Sequence, residues 1–332
     1  MRVSVVIPTI RKFGLLEFEL PSLANQTMNK GDYEIVLVDD YHGREGEVKD
    51  FCRDVGLRLR YTRSKPASWR TNAPIGNARN TGLILADGEL VVFIDDFTWV
   101  PQRFLETHYN FWKDTGMCLI APAKAVEEIY RYRGVELTDK ERETYERWGD
   151  DGDMGRYEMD NCPGGWLYTC NASAPLEKIV EVNGFWEIAD CTREEDVLMG
   201  LALERAGVRF AFRKDPNATV QHLKHDLPHL DHVPGKYKKI DYEDLGWQEG
   251  RWQDRDVKGL IGPGKCGLDT PEDYIQLITR DVFDTQFPGS WALIERFKDN
   301  PDLRFNEEIG FDLGEMRRRR MEKAIRGEAM RW

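Results

Sequence analysis

The stretch Ile75–Asp96, IGNARNTGLILADGELVVFIDD, changes its period halfway along. Ala78, Leu83 and Ala86 recur near helical spacing, and Asp87-Gly88 stops the run. Leu90-Val-Val-Phe-Ile94 then forms an unbroken apolar run and ends on two carboxylates, Asp95 and Asp96. A segment apolar on both faces suits a strand buried inside a parallel sheet. The stretch therefore reads as a helix, a buried strand and a pair of acids at the strand's carboxyl end.

The same grammar extends outward. Val3 to Ile7 is a short apolar run that ends in Pro8-Thr9, and Glu34-Ile-Val-Leu-Val38 ends in Asp39-Asp40. Pro101 to Lys113 reads as a helix with proline in its first turn. Strands alternating with helices imply right-handed crossovers and a doubly wound, mostly parallel α/β sheet with flanking helices. Ligands on such sheets bind beyond the carboxyl ends of the strands, where Thr9, Asp39, Asp40, Asp95 and Asp96 fall. Farther on, a charged stretch from about Val126 to Cys162 reads as surface helix and loop. A helix from Arg193 to Ala206 stops at Gly207, and Val208 to Phe212 reads as a short strand. Thr270-Pro271 opens another helix by N-cap and N1 chemistry, and the final helix carries Arg317 to Arg320.

The chain has 332 residues, about two domains at roughly 150 residues each. The composition shifts after Gly235, so we expect a catalytic domain over 1–235 and a partly helical extension over 236–332. The first divides into a ligand-binding half, 1–122, and a second half, 123–235. With 41% hydrophobic residues, the composition argues against an intrinsically disordered chain. No apolar run approaches the ~18 residues of a membrane span, and the apolar start is too short for a signal peptide. Six scattered cysteines without a Cys-x-x-Cys pair fit free thiols in a cytoplasmic protein. A net charge of −12 disfavours binding to nucleic acid by bulk electrostatics.

Ala78-Arg79-Asn80-Thr-Gly82, Ala86-Asp-Gly88-Glu89 and Ile94-Asp95-Asp96, together with Val5-Val-Ile-Pro8-Thr9 and Val38-Asp39-Asp40, resemble the nucleotide-sugar-binding half of the family-two glycosyltransferases, which have the GT-A fold. The resemblance covers about 100 residues. The family's aspartate motif, DXD, is met with Ile94 in the first aspartate place. The resemblance implies Asp96 as the main ligand of a divalent metal, Mn2+ or Mg2+, and Asp95 near the ribose. It places Pro8, Thr9, Asp40, Arg79 and Asn80 around the nucleotide, with Asp39 beside them.

In the second half, Thr192-Arg-Glu-Glu195 fits a capping box, which accounts for Glu195 and asks nothing of Asp196. The resemblance implies Asp196 as catalytic base, with Glu195 the runner-up, and puts Gly164-Gly165-Trp166 beside the acceptor. A helix N-terminus favours an ionised carboxylate, so Asp196 is expected with a low pKa. His222, His225, His229 and His232 gather in one loop; by resemblance His222 completes the metal site, with His225 the alternative. A near P-loop at Gly259 to Cys266 has Cys where magnesium needs Ser or Thr, so it is set aside.

The implied function is metal-dependent, inverting transfer of a sugar from a nucleotide sugar, UDP-linked by resemblance, to a saccharide or glycoconjugate hydroxyl. Hydroxymethylated pyrimidine in DNA is the alternative acceptor. Arg317 to Arg320 suggest local contact with phosphate or an anionic membrane surface. A non-catalytic nucleotide-sugar or glycan-binding module is the alternative of another class; it has no need of both metal ligands and base.

Overall fold

The structure is a computed structural model and describes residues 1–10, 14–41, 43–66, 75–126, 158–187, 195–223 and 290–328. Its main sheet is built from β1 (Val3–Thr9), β2 (Tyr33–Asp39), β3 (Leu59–Thr62), β4 (Leu90–Ile94), β6 (Met117–Ile120), β8 (Met159–Cys162), β9 (Asn171–Pro175) and β10 (Arg209–Phe212). Their spatial order is β3-β2-β1-β4-β9-β6-β10-β8. β5 (Thr98–Trp99), β7 (Ala123–Val126) and β11 (Val220–Leu223) form a small second sheet in the order β5-β11-β7.

The apolar runs of the sequence become the centre of the main sheet. β1, β2 and β4 are buried along their whole length, and β1 pairs parallel with both neighbours. Thr9 lies opposite Asp39 in that register, so the acids after β2 and β4 and the end of β1 share one edge. The sheet is mixed rather than parallel throughout, because β9 runs antiparallel to β4 and β6. Its polar residues, Asn171 and Ser173, are fully buried and meet the ring nitrogens of His108 at 3.2 and 3.1 Å.

Helices cover the sheet. After a π-helical turn (Leu15–Glu19) come α1 (Leu20–Ala24), α2 (Glu45–Asp54), α3 (Ile75–Leu85) and α4 (Phe104–Thr115). The second half adds α5 (Leu176–Glu181) and α6 (Glu195–Arg205); α7 (Ser290–Asp299) and α8 (Leu313–Ile325) follow in the C-terminal segment. α4 starts three residues after Pro101, which lies in the turn before it. A 3-10 turn at Gly164–Trp166 crosses α6 at backbone contact: a Cβ on Gly200 would lie 1.9 Å from the Gly164 carbonyl oxygen. Gly200→Ala is therefore expected to cost about 1–3 kcal/mol as overpacking. A urea midpoint equal to wild type would show that the two backbones part freely.

The C-terminal segment packs on both halves of the sheet layer. Ile294, Phe297 and Phe305 cluster with Trp186 and with Leu198 and Ala202 of α6. α8 lies on α3, and this packing engages two of the four arginines read as a contact for phosphate or an anionic membrane surface. Arg317 donates to the carbonyls of Leu83 and Ala86, and Arg320 to that of Leu85 and to Asp87. Guanidinium groups satisfy carbonyls that a helix end leaves open, so two of the four are taken up inside the fold. Arg318 and Arg319 are exposed and pair with Glu315. The expected helix at Thr270-Pro271 lies outside the described residues, and the 235/236 domain boundary remains a proposal.

Candidate active site

The edge formed by β1, β2 and β4 carries a connected polar floor. Thr9 Oγ1 donates to Asp96 Oδ2 at 3.1 Å and accepts from Arg44 Nη2 at 3.3 Å. Arg44, 4% exposed, grips Asp39 with two bonds of 2.7 and 2.9 Å. Asp39 also accepts from the Tyr61 hydroxyl and the Tyr41 N–H. This fully buried carboxylate thus meets four donors of the protein itself and braces the floor. Asp40, partly exposed, accepts from Ser64 through N–H and hydroxyl at 2.8 and 2.6 Å. Pro8 is buried within β1, opposite Val38.

Glu19, at the end of the π-helical turn, is an acid that sequence reading missed. It is fully buried and neither oxygen meets a hydrogen-bond donor among the described residues. Burial, followed by the charge of Asp96, holds its pKa well above the usual carboxylate range, against the opposing pull of Arg44. The sequence gives no signal beyond two acids, Glu17 and Glu19, set among Leu15, Leu16, Phe18 and Leu20.

α3 carries the link between the two halves. Its guanidinium at Arg79, 4% exposed, donates to Asp95 at 2.8 Å and to Glu195 at 2.9 Å. The acid after β4 and the first residue of α6 are thereby tied through one buried cation. The next residue, Asn80, was expected on the nucleotide but is fully buried elsewhere. Its amide donates to the Phe185 carbonyl and to Glu187, and its Oδ1 accepts from the Phe185 N–H at 2.8 Å. Lys65 extends the seam with a 2.5 Å buried ion pair to Glu187.

Asp196 lies beside this bridge. Its Oδ1 accepts from the Val197 N–H at 2.8 Å. Its pKa is pushed up to about 7, first by desolvation and next by the charge of Glu195, with Arg79 pulling the other way. The helix-terminus expectation of a low pKa is thus corrected: burial and a neighbouring acid outweigh the dipole and one N–H bond. Glu195 is bound to Arg79; its capping-box partner Thr192 lies outside the described residues. Gly165 lies against Val197 and Leu201, and Trp166 packs edge-on to Phe212, centroids 6.1 Å apart, while remaining partly exposed.

His222 sits in β11 opposite Thr98, two residues beyond Asp96. His225, His229 and His232 lie outside the described residues. Among the described residues no three His, Cys, Asp or Glu side chains form a self-contained metal cluster.

Residues 4–173 match the pattern of glycosyl transferase family 2. Over 126 residues, 38% of this chain and 37% of the relative, the sequence is 32% identical to the poly(ribitol-phosphate) beta-N-acetylglucosaminyltransferase TarP of Staphylococcus aureus (strain N315). Over 233 residues, 62% and 52% of the two chains, it is 27% identical to the validoxylamine A glucosyltransferase of Streptomyces hygroscopicus subsp. jinggangensis (strain 5008). The match therefore spans only about a third to a half of these curated relatives' length. The crystal structure of S. aureus TarS 1-349 superposes with a TM-score of 0.51 at 21% identity, covering 67% of this chain and 60% of that one. This likeness carries the fold.

Proposed function

The chain belongs to glycosyl transferase family 2, and from that premise we propose that it transfers a sugar from a UDP-sugar to an acceptor hydroxyl with inversion at the anomeric carbon. The observation that carries the reading is the Arg79 bridge between Asp95 and Glu195. It joins the acid-rich strand edge, where a nucleotide sugar would lie, to the acid pair that opens α6.

On the donor side, Asp40, held by Ser64, receives the base, and Asp95 the ribose. The residues also fit a divalent cation. An ion bridging a diphosphate needs only one or two protein carboxylates, with phosphate and water filling the shell. Asp96 is a buried acid beside Asp95, and the buried Glu19 close to it is held toward its neutral form. Asp96 would hold Mn2+ or Mg2+, with His222 as second ligand. Such an ion, when bound, supplies positive charge against the departing diphosphate.

On the acceptor side, Asp196 takes the proton of the attacking hydroxyl. Among the described residues the Val197 N–H meets Oδ1, and Oδ2 is the oxygen assigned the proton. Attack opposite the leaving group, at a carbon with oxocarbenium character, requires one base and inverts the centre. A pKa near 7 makes Asp196 a stronger base than an exposed aspartate at neutral pH. Activity should rise with pH through about 7 as Asp196 ionises. Glu195→Gln removes a charge that holds the Asp196 proton, so that rise is expected at lower pH. Initial rates between about pH 5 and 9 check this; a rise displaced upward would remove Glu195 from the control of the base.

TarP, a poly(ribitol-phosphate) transferase by name, supports a saccharide or polyol-phosphate hydroxyl as acceptor. The net charge of −12 and the engagement of Arg317 and Arg320 within the fold count against DNA and membrane surfaces. Among the described residues no helix is long and apolar enough to cross a membrane. The test is a screen of UDP-, GDP- and TDP-sugars with manganese, scored first by hydrolysis and then by transfer to saccharides and hydroxymethylated DNA. UDP-sugar turnover is expected; failure to turn over or bind any nucleotide sugar would overturn the reading.

A further inference from the structure

We infer that Asn306, in the C-terminal segment, is a positioning residue for the transfer step: it clasps the Asn183–Glu187 turn and through it sets the alignment of α3 and α6. The inference rests on the transferase reading above.

Asn183 and Asn306 are both fully buried, and both adopt the left-handed conformation, with φ of 69° and 67°. Their side chains are exchanged across the interface. The Asn183 amide donates to the carbonyls of Phe305 and Phe311, and its Oδ1 accepts from the Leu313 N–H at 2.7 Å. The Asn306 amide donates to the carbonyls of Asn183 at 3.0 Å and Phe185 at 2.8 Å, and its Oδ1 accepts from the Glu187 N–H at 2.8 Å. Trp186 stacks on Phe305, centroids 5.2 Å apart and 7° from parallel, and its indole N–H donates to Glu308.

The other side of the same turn is held by Asn80, the neighbour of Arg79 on α3. The turn is therefore gripped between α3 and the C-terminal segment. That segment also reaches the far end of α6, where Arg205 donates to the carbonyls of Phe297, Asn300 and Pro301. Arg79 and Glu195, which must meet at 2.9 Å, lie on the two helices so fastened. Asn306 touches neither proposed base nor donor acids; its effect runs through backbone position. An amide suits the task because it satisfies two carbonyls and one N–H in a dry site, where unmet groups are costly. Its left-handed backbone is one that only glycine and a few polar residues adopt readily.

The experiment compares wild type with Asn306→Gly, which keeps the backbone and removes the amide, and Asn306→Asp, which keeps the acceptor and removes both donors. Val48→Ala, on α2 in a core cluster that includes no residue of the C-terminal segment, supplies a stability-matched control. Donor KM, acceptor KM, kcat, UDP affinity and amide hydrogen exchange are measured for each. We expect Asn306→Gly to lower kcat at least ~10-fold, because misplacement by an ångström slows reaction steeply. Donor KM and UDP affinity should stay within about twofold, the signature of a loss realised in the transition state. Faster exchange should be confined to Phe185–Glu187 and the first turns of α6. Asn306→Asp should fall between the two, and Val48→Ala should keep wild-type kcat. Wild-type kcat in Asn306→Gly, or a parallel fall of kcat and donor affinity that Val48→Ala reproduces, would overturn the inference. If wild type transfers no sugar, the function reading fails. The exchange pattern still tests the clasp, and protection unchanged at Phe185–Glu187 would overturn it.

Discussion

Asp196→Asn is expected to lower the rate of sugar transfer at least ~100-fold, with UDP-sugar binding near wild type. The amide keeps the shape of the side chain and removes the oxygen that accepts the proton. Stability moves the other way. Desolvation and the charge of Glu195 push the Asp196 pKa up to about 7 in the fold, against about 3.9 in an unfolded chain. The folded state thus favours the protonated acid, and ionisation costs stability progressively as pH rises from the unfolded value through the folded one. Asparagine escapes that cost, so the variant should melt at or above the wild-type temperature at pH 8 and gain nothing near pH 4. Wild-type turnover would remove Asp196 from the mechanism and pass the role of base to Glu194 or Glu195.

Asp96→Ala is expected to abolish the divalent-dependent part of donor binding. The carboxylate stands 7% exposed at the end of β4 with one oxygen on Thr9. Its removal takes away the principal proposed anchor of the ion and one of the charges that push the Glu19 pKa upward. The fold should persist, since β1, β2 and β4 keep their buried parallel pairing without this side chain. Calorimetry with UDP, with and without manganese, reads the difference. Metal-dependent affinity equal to wild type would dissolve the assignment of Asp96, and with it the reading of the strand edge as a cation site.

The parts of this architecture that rest on local pattern were legible. Buried parallel strands need continuous apolar runs, so β1, β2 and β4 announced themselves, and the acids at their ends followed. Gly88 was readable as a helix stop; its other service, a backbone approach to Ser4 where a Cβ would lie 2.3 Å from the amide nitrogen, was not. β9 escaped because Asn171-Ala-Ser-Ala-Pro175 has the composition of a turn. It becomes a central strand only because His108 and nearby carbonyls meet its polar side chains. The grip of Arg44 on Asp39 was invisible for a related reason. Arg44 opens an exposed-looking acidic helix, and nothing nearby in sequence marks it as buried. Arg317 to Arg320 read as a charge run, although residues three apart share a helix face, and that spacing is what sends Arg317 and Arg320 inward together.

The reciprocal asparagines have a consequence for the order in which the protein is made. Asn306 is translated 123 residues after Asn183, a lag of roughly 6 to 25 s at ribosomal rates of about 5–20 residues per second. During that interval β1, β2 and β4 are already synthesised and able to pair, while the turn before α6 waits for half of its hydrogen-bond partners. A nascent chain thus builds the strand edge proposed for the nucleotide well before it aligns the proposed base, and alignment is gained only when Phe305, Asn306 and Phe311 leave the ribosome.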